Sequence, residues 1–158
     1  MLLLIPPSLQ WAVLMRLPRR LAAALVRETL RGIYERLGRA GEIEVRFLDP
    51  AVEWRPPPTS PVAGVYRGRE QAIAEFETWT EPFEDWRWQP EELIDAGFRG
   101  GDWVWLVRGN ESGRGVGSGV EIGARQFHVL TLRRGRLARL EMYDDRSAAM
   151  RAASLIDS

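Results

Sequence analysis

The sequence predicts a single α+β domain, in which two amphipathic helices cover one face of a sheet built from a following run of antiparallel strands. Three observations predict it. Apolar residues recur at three- and four-residue steps over residues 21–37 and again after Gly68. Most of residues 84–144 instead divides into short segments of strand composition, broken by glycine turns. The 158 residues contain no internal repeat and no linker that would divide them.

The first element is an apolar N-terminal stretch, MLLLIPPSLQWAVLM, interrupted by Pro6-Pro7, with its first charge at Arg16. It lacks the basic flank of a secretory signal and is too short to span a bilayer. It reads as an N-terminal extension over residues 1–20 ahead of a domain over 21–155, with Met15 an alternative start; the other reading is a membrane or partner tether. The first helix carries Ala22, Val26, Leu30, Ile33, Tyr34 and Leu37 as its apolar stripe and stops in the GRAG of residues 38–41. Residues 42–48 (EIEVRFL) alternate like a strand, Asp49-Pro50 marks a turn, and residues 51–55 form a short strand closed by Pro56 to Pro58. The second helix buries Ile73, Phe76, Trp79 and Phe83. Strands over 84–89 and 92–96 flank Pro90, followed by strands over 103–108, 120–133 and 137–144 and a terminal helical turn over 147–155. The glycine-rich run 109–119 between two of these strands reads as a flexible hairpin. It leads into a strand rather than a helix, so it offers no helix N-terminus for phosphate.

Composition excludes several function classes. Twenty-two basic and 22 acidic residues cancel, which argues against a nucleic-acid backbone binder. With no cysteine, no lysine and one histidine, the chain can form no thiolate or multi-histidine metal site, no Schiff base and no P-loop. No metal or organic cofactor is expected. The Asn110-Glu111-Ser112 sequon and the Asp144-Asp145 pair carry no argument of their own, since adjacent strand residues face opposite ways.

Sorting the strands by face places Ala138, Leu140, Met142 and Asp144 together, with Leu137, Arg139, Glu141 and Tyr143 opposite. Gln126, His128, Leu130 and Leu132 share a face, as do Trp103, Trp105 and Val107. The pieces DPAVEW (49–54), GVYRGRE (64–70), FHVLTLRRGRL (127–137) and EMYDDR (141–146) resemble, in their order, the SnoaL-like branch of the NTF2-like superfamily. The resemblance implies a cone: a curved antiparallel (cystatin-like) sheet wrapped around the N-terminal helices, with an internal cavity. It also implies a short helix over 42–48, against the period-2 reading. Carried over residue by residue, it puts Trp54, Trp103, Trp105, Gln126, His128, Leu140, Met142 and Asp144 on the concave face, with Tyr34 reaching in from the first helix.

What chemistry follows is an expectation from the same resemblance. Tyr34 matches the oxyanion-binding tyrosine of ketosteroid isomerases, but Trp54 stands where the base carboxylate belongs and His128 where the second acid does. The inner face does not assemble an Asp-Arg-Asp group of the limonene-epoxide hydrolase kind. His128 and Asp144 resemble the pair used by SnoaL-type polyketide cyclases, with Asp144 removing a proton beside a ketone and Tyr34, Gln126 and His128 as donors to the enolate. Two readings result: a cofactor-independent isomerase, cyclase or hydratase acting on a small hydrophobic molecule, or a non-catalytic ligand-binding or dimerisation module. The partners expected are a small hydrophobic ligand and a second copy docked on Phe127, Val129 and Tyr143, with neither nucleic acid nor membrane, in the cytoplasm.

Overall fold

The structure, a computed structural model, describes residues 7–156. Its first long element is α2 (Arg19–Ala40), preceded by the short α1 (Pro7–Leu14). Pro18 stands at the N-cap of α2, and Gly41 closes the helix in the left-handed conformation at φ 66°. The helix therefore runs past Gly38 rather than stopping there. Gly38 is required by packing: a Cβ at this position would meet the Trp88 carbonyl oxygen at 2.0 Å, so α2 crosses the sheet in direct contact with backbone.

Between α2 and the sheet, residues 42–48 resolve into a single 3-10 turn (Val45–Phe47) leading into β1 (Leu48–Arg55). Asp49-Pro50, expected as a turn, lies inside β1, where the register shifts between Leu48 and Glu53. β2 (Tyr66–Arg67) and α3 (Arg69–Thr80) follow. α3 ends before Pro82, so Phe83 opens β3 (Phe83–Arg99) instead of closing the helix stripe. Pro90 does not divide β3. β3 is one of the sheet's two edge strands, where a missing N–H is tolerated, and the register shifts beside the proline. β4 (Asp102–Gly115) runs through half of the glycine-rich segment, leaving only residues 116–120 as the connection to β5 (Glu121–Arg133). β6 (Arg136–Tyr143) and α4 (Arg146–Ala152) complete the fold.

The six strands lie in the order β2-β1-β6-β5-β4-β3. Every pairing is antiparallel except β1 with β6, which is parallel, so the sheet is mixed. Register shifts in β1, β3 and the β5–β6 pair bend it. One of them alters the expected faces: Leu132 pairs with Leu137 while Thr131 pairs with Arg139. Ala138 is thus the extra residue, and Leu137 turns to the concave side, where it is buried.

Two apolar layers hold the sheet. On the concave side, Ala22, Ala23, Val26 and Leu30 of α2 pack with Trp88, Trp103, Trp105, Val107, Leu130 and Leu132. On the convex side, Val104, Leu106, Phe127 and Val129 pack with Ala149 and Ala153 of the C-terminal segment. This corrects the docking patch expected for a second copy: Phe127 and Val129 are buried by the chain's own α4, leaving Tyr143 half-buried beside it. α4 is started by Asp145, whose carboxylate accepts from the Ala148 N–H at 2.8 Å. The adjacent convex surface of β1 and β6 is charged, with Glu53 paired to Arg55, Arg67 and Arg139. Among the described residues, no helix is long and apolar enough to cross a membrane.

Candidate functional site

The helices treat the two ends of the concave face differently. Near the N-terminal half of α2, small residues at Ala22 and Ala23 let the helix settle onto the sheet, and Trp103 and Trp105 fill the space completely. Trp103 meets Trp11 of α1 edge-on at 5.9 Å, stacks on Phe98, and donates its indole N–H to Asp95 at 2.7 Å. Trp105 lies under Arg27, whose guanidinium sits 5.4 Å from its ring centroid. Both tryptophans share the predicted face but lie outside the cavity, where they serve as packing.

Beside the C-terminal half of α2, whose Gly38 touches Trp88 of β3, the rest of the sheet leaves a space. A cavity of about 130 Å³ opens between α2, α3, the 3-10 turn and the sheet. Its wall is almost wholly apolar: Leu30, Ile33 and Leu37 from α2, Ile73 and Phe76 from α3, and Val52, Leu130, Leu137, Leu140 and Met142 from the sheet. Trp54, Trp79, Trp86 and Trp88 add four indoles, and Glu42 and Glu44 stand at the rim toward solvent. An empty cavity of similar size lined by aliphatic and aromatic groups is large enough for one benzene-sized ring.

Tyr34 and His128 are the polar pair on this wall. Tyr34 Oη lies 2.9 Å from His128 Nδ1, and the imidazole stacks on Trp88 at 4.3 Å between ring centres. Both side chains are buried. Burial pushes the His128 pKa down from 6.5 to about 3, so the ring is neutral at neutral pH, and it raises the Tyr34 hydroxyl above its ordinary value. Behind them runs a network that the sequence reading did not identify. His128 Nε2 approaches Gln126 Oε1 at 3.4 Å, and Trp88 Nε1 donates to the same oxygen at 3.1 Å. Gln126 Nε2 donates to Glu111 Oε2 at 2.8 Å, while the indoles of Trp79 and Trp86 both donate to Glu111 Oε1 at 2.7 Å. Gln126 is buried behind the wall rather than facing the cavity.

Glu111 could have been found by continuing the alternation of β4. Positions 103, 105, 107, 109 and 111 share a face, but the glycines made the segment look like a loop. In the structure, Gly109 is the means by which the network forms: a Cβ there would lie 2.3 Å from the Trp88 ring. Glu111 is 5% exposed, and its three N–H partners are what make a carboxylate tolerable at that depth.

Asp144 is not brought to His128. It follows the last residue of β6, is exposed, and pairs with the Thr59 hydroxyl. Of the predicted site residues, Tyr34, Trp54, His128, Leu140 and Met142 line the cavity, whereas Trp103, Trp105, Gln126 and Asp144 do not. Trp54 also donates to the Met142 sulfur at 3.0 Å. Among the described residues, no group of three His, Asp or Glu side chains gathers closely enough to hold a metal ion.

The sequence over residues 26–140 matches the family described as the SnoaL-like domain. The chain belongs to the SnoaL-like domain family. Solved structures share the fold. An NTF2-like protein from Burkholderia thailandensis E264 is 25% identical, with 66% of this chain and 79% of that one covered and a TM-score of 0.55. TerC, co-crystallised with polyporic acid, is 21% identical over 82% of this chain and 97% of its own, with a TM-score of 0.60. A protein from Jannaschia sp. CCS1, named as a candidate SnoaL-like polyketide cyclase, is 21% identical over 83% and 92%, with a TM-score of 0.58. Among curated proteins, none matches the chain.

Proposed function

We propose that this SnoaL-like protein binds a small, largely apolar molecule of about one ring in the cavity between α2, α3 and the sheet. The observation that carries this reading is the cavity wall itself, some twenty residues that are apolar apart from the Tyr34–His128 pair and the two rim glutamates. TerC, a structure of the same fold, was crystallised with a small organic molecule, which supports a ligand here.

A catalytic reading, as a cofactor-independent isomerase, cyclase or hydratase, draws on one observation, the hydroxyl–imidazole hydrogen bond on the cavity wall. Binding without turnover is the better supported of the two. Burial holds His128 neutral with both ring nitrogens engaged, and Asp144, the expected base, is exposed and bonded to Thr59. A carbon-bound proton needs a base within reach.

Titration with toluene, followed by tryptophan emission and calorimetry, tests the proposal. Saturable one-to-one binding is expected, and it should be lost in Ala72→Leu, whose added carbons would enter the cavity from α3. Failure of toluene and comparable rings to bind, or equal binding to a folded Ala72→Leu variant, would overturn it.

A further inference from the structure

We infer that the polar group this cavity offers its ligand is a hydrogen-bond acceptor, the Tyr34 hydroxyl oxygen, so that it selects neutral ring compounds bearing an O–H or N–H over carbonyl compounds. The inference rests on the small-ligand reading above and names the class of ligand.

The direction of every hydrogen bond behind the wall is set by groups that have no choice. An indole N–H can only donate. Trp88 Nε1 therefore fixes the Gln126 oxygen toward itself and His128, and turns the Gln126 amide nitrogen toward Glu111. Glu111, taking N–H groups from Trp79 and Trp86 as well, is a carboxylate facing donors only. His128 Nε2 faces the Gln126 oxygen and so carries the ring proton. In a neutral imidazole the other nitrogen is then a bare acceptor. Tyr34 must donate its single hydroxyl proton to His128 Nδ1 at 2.9 Å, and what remains of that hydroxyl is lone pair. The other N–H groups of the wall's side chains are also spent: Trp54 on the Met142 sulfur, Trp79 and Trp86 on Glu111, Trp88 on Gln126. The side chains of the inner wall thus hold an available acceptor and no free donor. This reverses the role expected for Tyr34 as an oxyanion donor, and it makes Glu111 a positioning residue that acts through Gln126 and His128.

Glu111→Gln together with Trp88→Phe should reverse the chain, because Trp88 Nε1–H would otherwise hold the Gln126 oxygen where it is. The two indoles keep the new amide oxygen facing them, so its nitrogen faces Gln126, which must turn its own oxygen to meet it. The Gln126 nitrogen then donates to His128 Nε2, the ring proton moves to Nδ1, and Nδ1–H donates to Tyr34, whose hydroxyl is freed to donate into the cavity.

Because the chain has a single histidine, nitrogen-15 NMR reads the tautomer without assignment ambiguity and without any ligand. The expected result is a protonated Nε2 in the wild type and a protonated Nδ1 in the Glu111→Gln, Trp88→Phe double variant. Calorimetry with phenol, benzaldehyde and toluene reads the ligand side. The preference for phenol over benzaldehyde should fall by about tenfold or more in the double variant, since one hydrogen bond is lost and another gained. Where the double variant does not fold, the wild type decides alone. With each affinity referenced to transfer from water to cyclohexane, phenol should bind more tightly than toluene sets, and benzaldehyde should not. A wild-type protein with the proton on Nδ1, or a phenol preference no greater than transfer predicts, overturns the inference. If no ring binds while the Nε2 tautomer is found, it is the cavity reading that fails, and the ligand class falls with it.

Discussion

The buried imidazole makes the stability of this protein depend on pH in a way that one substitution isolates. His128 titrates near 6.5 when exposed in an unfolded chain, whereas burial holds it to about 3 in the folded protein. Between those values the unfolded chain binds a proton that the native state does not, so stability rises with pH and is lost as pH falls through the window. At 1.36 kcal/mol per pH unit, going from pH 7 to pH 4 costs the native state about 3 kcal/mol from this group alone. His128→Gln keeps a polar side chain at the position and removes the titration. Urea unfolding of both proteins at pH 7, 6, 5 and 4 checks the reasoning. With a urea dependence of about 2 kcal/mol per molar, the midpoint difference should change by about 1.5 M across the range, in favour of the variant at low pH. The Glu53 carboxyl, lowered by the Arg55 hydrogen bond, is common to both proteins and cancels in the difference. So does Asp95, where desolvation is outweighed by bonds from Trp103, Gly97 and Arg19. Parallel curves for wild type and variant would refute the claim that His128 is buried and neutral.

Further expectations follow from the same contacts. Gly38→Ala should cost about 2–4 kcal/mol in a thermal or urea melt, because its Cβ would drive α2 off the Trp88 backbone. Asp144→Asn should leave toluene affinity unchanged by calorimetry, because Asp144 pairs with Thr59 outside the cavity. Trp103→Phe should preserve the ligand-induced change in emission, and Trp88→Phe should diminish it, because Trp88 lines the cavity and Trp103 does not. Truncation before Arg146 should produce concentration-dependent self-association in sedimentation, since it uncovers Val104, Leu106, Phe127 and Val129 together.

Much of the site was legible because strand alternation and helix periodicity are local. His128 and Leu130 in β5, Leu140 and Met142 in β6 and Tyr34 on α2 each take their direction from two or three neighbours along the chain. The errors arose where direction depends on a partner strand or on a helix at a distance. The extra residue at Ala138 is defined only by pairing with β5, and it moves Leu137 to the cavity. The glycines of β4 looked like a loop because their use, close approach by Trp88 and Phe83, involves side chains some twenty to thirty residues away. The Phe127 and Val129 face looked like an interface because nothing local says that α4 folds back over it.

Composition and periodicity by themselves determined an α+β domain without thiolate or multi-histidine chemistry, its strands sorted into faces and Tyr34 on the apolar stripe of its helix; that His128 turns inward followed from the family resemblance. They could do so because side-chain direction within an element is a property of the backbone repeat. Only the tertiary structure decided which part of the concave face is filled and which is empty. That depends on how α2, α3 and the sheet meet: Ala22 and Ala23 pack in one cluster with Trp103 and Trp105, while Leu30, Tyr34 and Leu37 line a space shared with α3 and with Leu130 and Met142 of the sheet. Spacing between layers is a sum over side-chain volumes from several distant segments, and no single segment carries it.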